Sequence, residues 1–98
     1  MLNDCLGQVV TSRCGRDKGR SFLIVGVFDD NHVLLCDGET RKLSSPKKKK
    51  IKHVRFENKV SESIHDKLAE DKKVFDAEIR KAILLLGYNV DHQNQQEG

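Results

Sequence analysis

The chain has 98 residues, 37% hydrophobic and 34% charged, with a formal net charge of +3. Domains commonly hold about 100–150 residues, so this length suits one small domain with an appendage and excludes two full enzyme domains. The longest apolar stretch, Phe22 to Phe28, falls far short of the ~18 residues a spanning helix needs. The start Met1-Leu2-Asn3-Asp4 lacks the basic and apolar regions of a secretory signal, so a cytoplasmic protein with no membrane partner is expected.

The charge is unevenly spread. Residues 1–56 hold twelve bases against six acids, a net +6, whereas residues 57–98 hold six against nine, a net −3. A positive first half points to a polyanionic partner, and the second half reads as an ordinary solvated surface. Cys5, Cys14 and Cys36 are odd in number and lack zinc-knuckle spacing. They are expected to be reduced, mostly buried thiols, with no metal and no cofactor.

In chain order, Gln8 to Ser12 is β-branched and too short for a helix, and Gly15-Arg16-Asp17-Lys18-Gly19 breaks it into a basic glycine loop. Ser21 to Phe28 follows with apolar residues on both faces, as in a strand of a small closed sheet, and Gly26 marks a bend or bulge. Asp29-Asp30-Asn31 turns into a third strand, His32 to Cys36. Asp37-Gly38 suits a tight hairpin turn with positive φ. Thr40 to Leu43 is then expected as a fourth strand, ended by Pro46. Lys47 to Lys50 intervene before a fifth short strand, Ile51 to Val54.

Beyond Phe56 the period changes. Ser63 and Asp66 form a cap-like pair for a helix with Val60, Ile64 and Leu68 at four-residue spacing on one side. A firmer helix has Asp76 as its N-cap, with Glu78 in its first turn and Ile79, Ala82, Ile83 and Leu86 on one face. Gly87 supplies its stop. The expected organisation is mainly β: a small barrel over 3–56, a helical hairpin over 61–87 and a flexible tail over 88–98.

Two cationic stretches could carry function. The first is Arg13, Gly15, Arg16, Lys18, Gly19 and Arg20, where glycines permit close backbone approach and cations flank them, so a phosphate could sit there. It is not a nucleotide P-loop, since Gly15 to Ser21 is one residue short of that motif, Arg20 stands in the lysine position, and a strand follows where a helix must. The second runs from Arg41 to Arg55 and holds eight cations, Arg41, Lys42, Lys47, Lys48, Lys49, Lys50, Lys52 and Arg55, with no acid. Their mutual repulsion would be relieved by a phosphate backbone. The bland alternatives are a solvated turn for the first stretch and a linker or import signal for the second.

Gly7-Gln8-Val9-Val10-Thr11-Ser12-Arg13-Cys14-Gly15-Arg16-Asp17-Lys18-Gly19-Arg20, followed by Ser21 to Val27, resembles the KOW motif. With Asp29-Asp30-Asn31, Asp37-Gly38, Arg41-Lys42 and the Pro46-to-Lys50 run, the chain is similar over Gly7 to His53 to KOW-domain ribosomal proteins of the eukaryotic-type large subunit, number fourteen most closely, and to short bacterial KOW-domain RNA-binding proteins. The resemblance implies an SH3-like barrel that binds ribosomal or other structured RNA without catalysis, among ribosomal proteins as neighbours. Gly15 takes the place of the motif glycine, and Arg16, Lys18 and Arg20 are the loop cations near phosphate. Cys14 departs from the small residue expected there.

Aromatic platforms for reading bases look scarce. Phe22 and Phe28 fall in the buried strand and read as core, and His53 and Phe56 read as a packed strand end, so recognition of shape and phosphate is expected. Asp29–Asp30 and His65–Asp66 are explained by turns and helix surfaces, and no catalytic motif appears. The competing reading is a protein–protein adaptor in which Ile79, Ile83 and Leu86 grip a second protein.

Overall fold

A computed structural model describes residues 5–90. β1 (Gln8–Ser12), β2 (Ser21–Asp29), β3 (His32–Cys36), β4 (Lys47–Lys50) and β5 (Val54–Val60) form one antiparallel sheet in the order β4-β3-β2-β1-β5. Helices α1 (Glu62–Ala69) and α2 (Asp76–Leu85) follow.

The central strands are buried from two sides, as their unbroken apolar pattern predicts. Val10, Phe22, Ile24, Val33, Leu35 and Val54 make one core with Cys5, to which Ile51 and Leu6 add. Their strand neighbours Val9, Leu23 and Cys36 point the other way and meet Ile64 of α1 and Ile79 and Ile83 of α2. The second side is therefore covered by helices. The sheet itself is open: β4 and β5 are its edges, and no ladder joins them among the described residues. This corrects the expected closed sheet. A 3-10 turn, Ile51–His53, crosses between the edges, anchored where Ile51 N–H donates to Asn31 O (2.8 Å) and Arg13 N–H donates to His53 O (2.8 Å). The register shifts between Ile24 and Gly26, the irregularity expected there.

Two strand positions differ from expectation. Thr40 to Leu43 is a loop, because the Asp37 carboxylate collects local donors: Glu39 N–H (2.9 Å), Arg41 N–H (2.8 Å) and the Thr40 hydroxyl (2.6 Å). Side-chain bonds of this kind compete with a strand ladder. Gly38, at φ +77°, lets the loop lie against α2, where a Cβ would come within 2.2 Å of Asp76 O. Asp76 Oδ1 in turn accepts from Leu43 N–H (2.7 Å). The fourth strand is instead the lysine run, tolerated because β4 is an edge. Ile51 to His53 is the 3-10 turn, and the fifth strand starts at Val54.

Both helices start one or two residues earlier than their sequence signals. Ser61, not Ser63, caps α1, its hydroxyl accepting from Ile64 N–H, so Val60 is the exposed end of β5 and not part of the helix's apolar side. Phe75, not Asp76, is the N-cap of α2, where Glu78 Oε1 accepts from Phe75 N–H (2.9 Å). Gly87 ends α2 as expected: Gly87 N–H donates to Leu84 O (2.9 Å) and Tyr88 N–H to Ile83 O (3.1 Å). Of the expected tail 88–98, Tyr88 packs on the helical core. The Asn89 side-chain amide pairs with the first residue of β2, its Oδ1 accepting from Ser21 N–H (2.9 Å) and its Nδ2 donating to Ser21 O (2.7 Å). The stretch 91–98 lies outside the described residues.

Candidate functional site

The loop between β1 and β2 turns on Gly15 and Gly19, at φ +88° and +89°, a left-handed region that costs other residues about 1–2 kcal/mol. Its acid points inward. Asp17 Oδ1 accepts from the Ser12 hydroxyl (2.8 Å) and from Lys49 Nζ (3.1 Å), and Lys49 also donates to Cys14 O (2.9 Å). Lys47 Nζ stands 4.0 Å from Asp17 Oδ2. Burial would raise the Asp17 carboxyl, but the Ser12 hydroxyl and the two lysines outweigh it and hold the group below its ordinary value of 3.8.

The reason the clamp can form is the register of β4. Lys47 and Lys49 lie opposite Leu35 and Val33, on the side of the first core, whereas Lys48 and Lys50 lie opposite Leu34 and His32. Alternation along a strand sends the two pairs to opposite faces. Lys47 and Lys49 are thus drawn to the loop acid, and Lys49 is buried, with 7% exposure. Lys48 and Lys50 face outward.

The clamp brings the two cationic stretches together. Around His53, in the 3-10 turn, lie Lys50, Lys52, Lys49 and Arg13, contributed by β4, the turn and the loop. Partial loss of water around the ring, followed by the positive charge of these four groups, pulls the imidazole below its ordinary 6.5. A groove of about 360 Å³ opens beside it, lined by Thr11, Ser12, Arg13, Lys18, Gly19 and Arg55. Arg55 is held by Glu57 at 3.0 Å, whose own carboxyl is kept low, first by the Thr11 hydroxyl and also by Arg55 itself. Among the described residues, no carboxylate stands within ion-pair distance of Arg13, Arg16, Lys18, Lys48, Lys50 or Lys52.

The other sequence-predicted cations are placed differently. Arg20 Nε donates to Asp37 Oδ2 (2.6 Å) and Nη2 to Glu39 Oε1 (2.7 Å), fastening β2 to the 37–43 loop. Arg41 and Lys42 ride on that loop, which is tied to the start of α2. Neither the clamp nor the groove includes these three. Phe28 is 56% exposed, which corrects its reading as core, while Phe22 is fully buried. Phe28 was missed because a continuous apolar run gives no sign of where burial ends. Cys36 is buried, and burial, then the charges of Asp76 and Asp37, push its thiol up to about 12, which leaves it protonated.

No family model matches the chain. The chain is 33% identical over 69 residues to a Bacillus subtilis (strain 168) protein named "Putative ribosome-binding protein YbzG", a match spanning 70% of this chain and 93% of that protein. The chain belongs to the family of that protein. No helix among the described residues is long and apolar enough to cross a membrane.

Proposed function

We propose that this protein binds ribosomal RNA, in the cytoplasm, through the surface formed by its β1–β2 loop, the outward lysines of β4 and the 3-10 turn, and that it acts by binding rather than catalysis. The observation that carries the reading is the joining of two cationic stretches far apart in sequence: Lys49 of β4 donates to Asp17 Oδ1 (3.1 Å) and Cys14 O (2.9 Å) of the loop, and Arg13 N–H donates to His53 O (2.8 Å) of the turn that follows β4. Like charges gathered this way repel one another unless a polyanion neutralises them, and counterion release then drives association. The name of the Bacillus relative supports a ribosomal partner for the same family.

The strand order, with β5 beside β1 and a 3-10 turn carrying the chain from β4 to β5, supports assignment of the domain as an SH3-like barrel of KOW type whose edges stay unzipped. In this reading Gly15 and Gly19 shape the phosphate loop, Arg13, Arg16, Lys18, Lys50, Lys52 and Arg55 meet phosphates, Lys48 lies at the margin, and Lys47, Lys49 and Arg20 hold the scaffold. Against the adaptor reading, Ile79 and Ile83 are fully or almost fully buried against the sheet and Leu86, partly buried, packs on the same cluster.

Co-sedimentation with ribosomal particles tests the proposal. The protein is expected to travel with the particles at low salt, to dissociate as salt rises, and to be released by nuclease digestion. Retention on protein remnants after complete RNA digestion would contradict it.

A further inference from the structure

Phe28 stands where the β2–β3 register breaks, between the pairs Val27–Val33 and Asp29–His32. A bulge can re-aim a side chain, and here it leaves a phenyl ring 56% exposed. Lys48 Nζ covers the ring at 4.3 Å from its centroid. His32 meets it edge-on, with centroids 6.3 Å apart and planes at 83°. His32 is itself fixed, its Nδ1 lying 2.8 Å from Asp29 Oδ1. Next to this group a cleft of about 560 Å³ is lined by Asp30, Asn31, His32, Lys50, Ile51 and Lys52.

An exposed ring backed by one cation, with two more cations in the adjoining cleft, matches what an unpaired nucleotide needs: a π-face for the base and positive charge for the phosphates next to it. Asp30 brings a carboxylate to the same cleft, so phosphates are favoured on its Lys50 and Lys52 side. We propose that Phe28 is a stacking platform for an unpaired base of the bound RNA, with Lys50 and Lys52 holding the adjoining phosphates. This inference rests on the RNA reading above and adds a contact to bases, where the sequence alone suggested recognition of shape and phosphate only.

Two probes separate the contributions: a uridine decamer and a decamer of the same ribose–phosphate backbone without bases. F28A is expected to weaken uridine-decamer binding about tenfold, within the usual range for one stacked base, and to leave the abasic decamer unaffected. F28W should keep full affinity. The chain has no tryptophan, so its emission would report this position alone and should be quenched by the uridine decamer but not by the abasic one. Equal losses on both probes, or no loss on either, would overturn the platform. Failure of the unaltered protein to bind either decamer or ribosomal RNA would instead bring down the RNA reading, and the platform with it.

Discussion

The two sides of the sheet are finished in different ways. On one, Val9, Leu23 and Cys36 are sealed by Ile64, Ile79 and Ile83 from two helices, and the segment that supplies those helices is net acidic. On the other, the strands pack over Val10, Phe22 and Leu35, and the rim is held by Lys47 and Lys49 on the Asp17 carboxylate. The first arrangement spends its side chains on stability. The second leaves several cations at the rim with no carboxylate partner among the described residues, a composition suited to a polyanion. Position within the fold, more than residue type, decides which job a lysine does: Lys49 is buried in the clamp while Lys50, next along the strand, faces outward.

Substitutions on the helical side should give the largest changes in stability. Ile83→Ala empties a fully packed site and is expected to cost about 2–5 kcal/mol, read from urea unfolding, with little change in RNA affinity under conditions where the variant is folded. Lys49→Met tests the other side's clamp. Removing it leaves Asp17 with the Ser12 hydroxyl and the more distant Lys47, so a loss of about 1–3 kcal/mol is expected. Lys52→Ala should stay within about 0.5 kcal/mol of the parent and lose RNA affinity instead. If Lys49 and Lys52 behaved alike in both assays, the division between scaffold and contact lysines would fail.

Acid provides a smaller test of the same division. Burial would raise the Asp37 carboxyl, but the Thr40 hydroxyl, the amides of Arg41 and Glu39, and Arg20 together hold it below 3.8. Because the folded value is depressed, its stabilisation is complete above the unfolded value and is lost as pH falls through the folded one; Asp17 follows the same sign. Asp37→Asn should therefore be less stable than the parent at pH 7, and the gap should narrow as the pH drops below about 4. A gap that is the same at pH 7 and pH 3 would show that the charge is not what matters.

Much of this was legible in the sequence where burial is strong and periodic. β1 to β3, the bulge at Gly26 and the helix ending at Gly87 follow from apolar pattern and glycine placement. β5 is legible only at its start, because Val54 to Glu57 alternates apolar and polar but Asn58 and Lys59 break the pattern, and most of the strand is exposed, so the sequence does not mark how far it runs. The lysine strand was hidden for a related reason: its pairing is a backbone matter, and the burial of Lys49 depends on Asp17, 32 residues away. Arg20 belonged by sequence to the basic loop, yet the carboxylates that claim it, Asp37 and Glu39, arrive only through folding.

The central claim is that the loop and the lysine-rich segment form one RNA-binding surface. It is tested most directly by the slope of log affinity against log salt for a ribosomal RNA fragment, measured for the parent, for Arg13→Ala with Lys18→Ala, and for Lys50→Ala with Lys52→Ala. Each pair should flatten the slope by about 1.4–1.8, the amount expected for two lost phosphate contacts. A slope that moves for only one pair would contradict a shared surface.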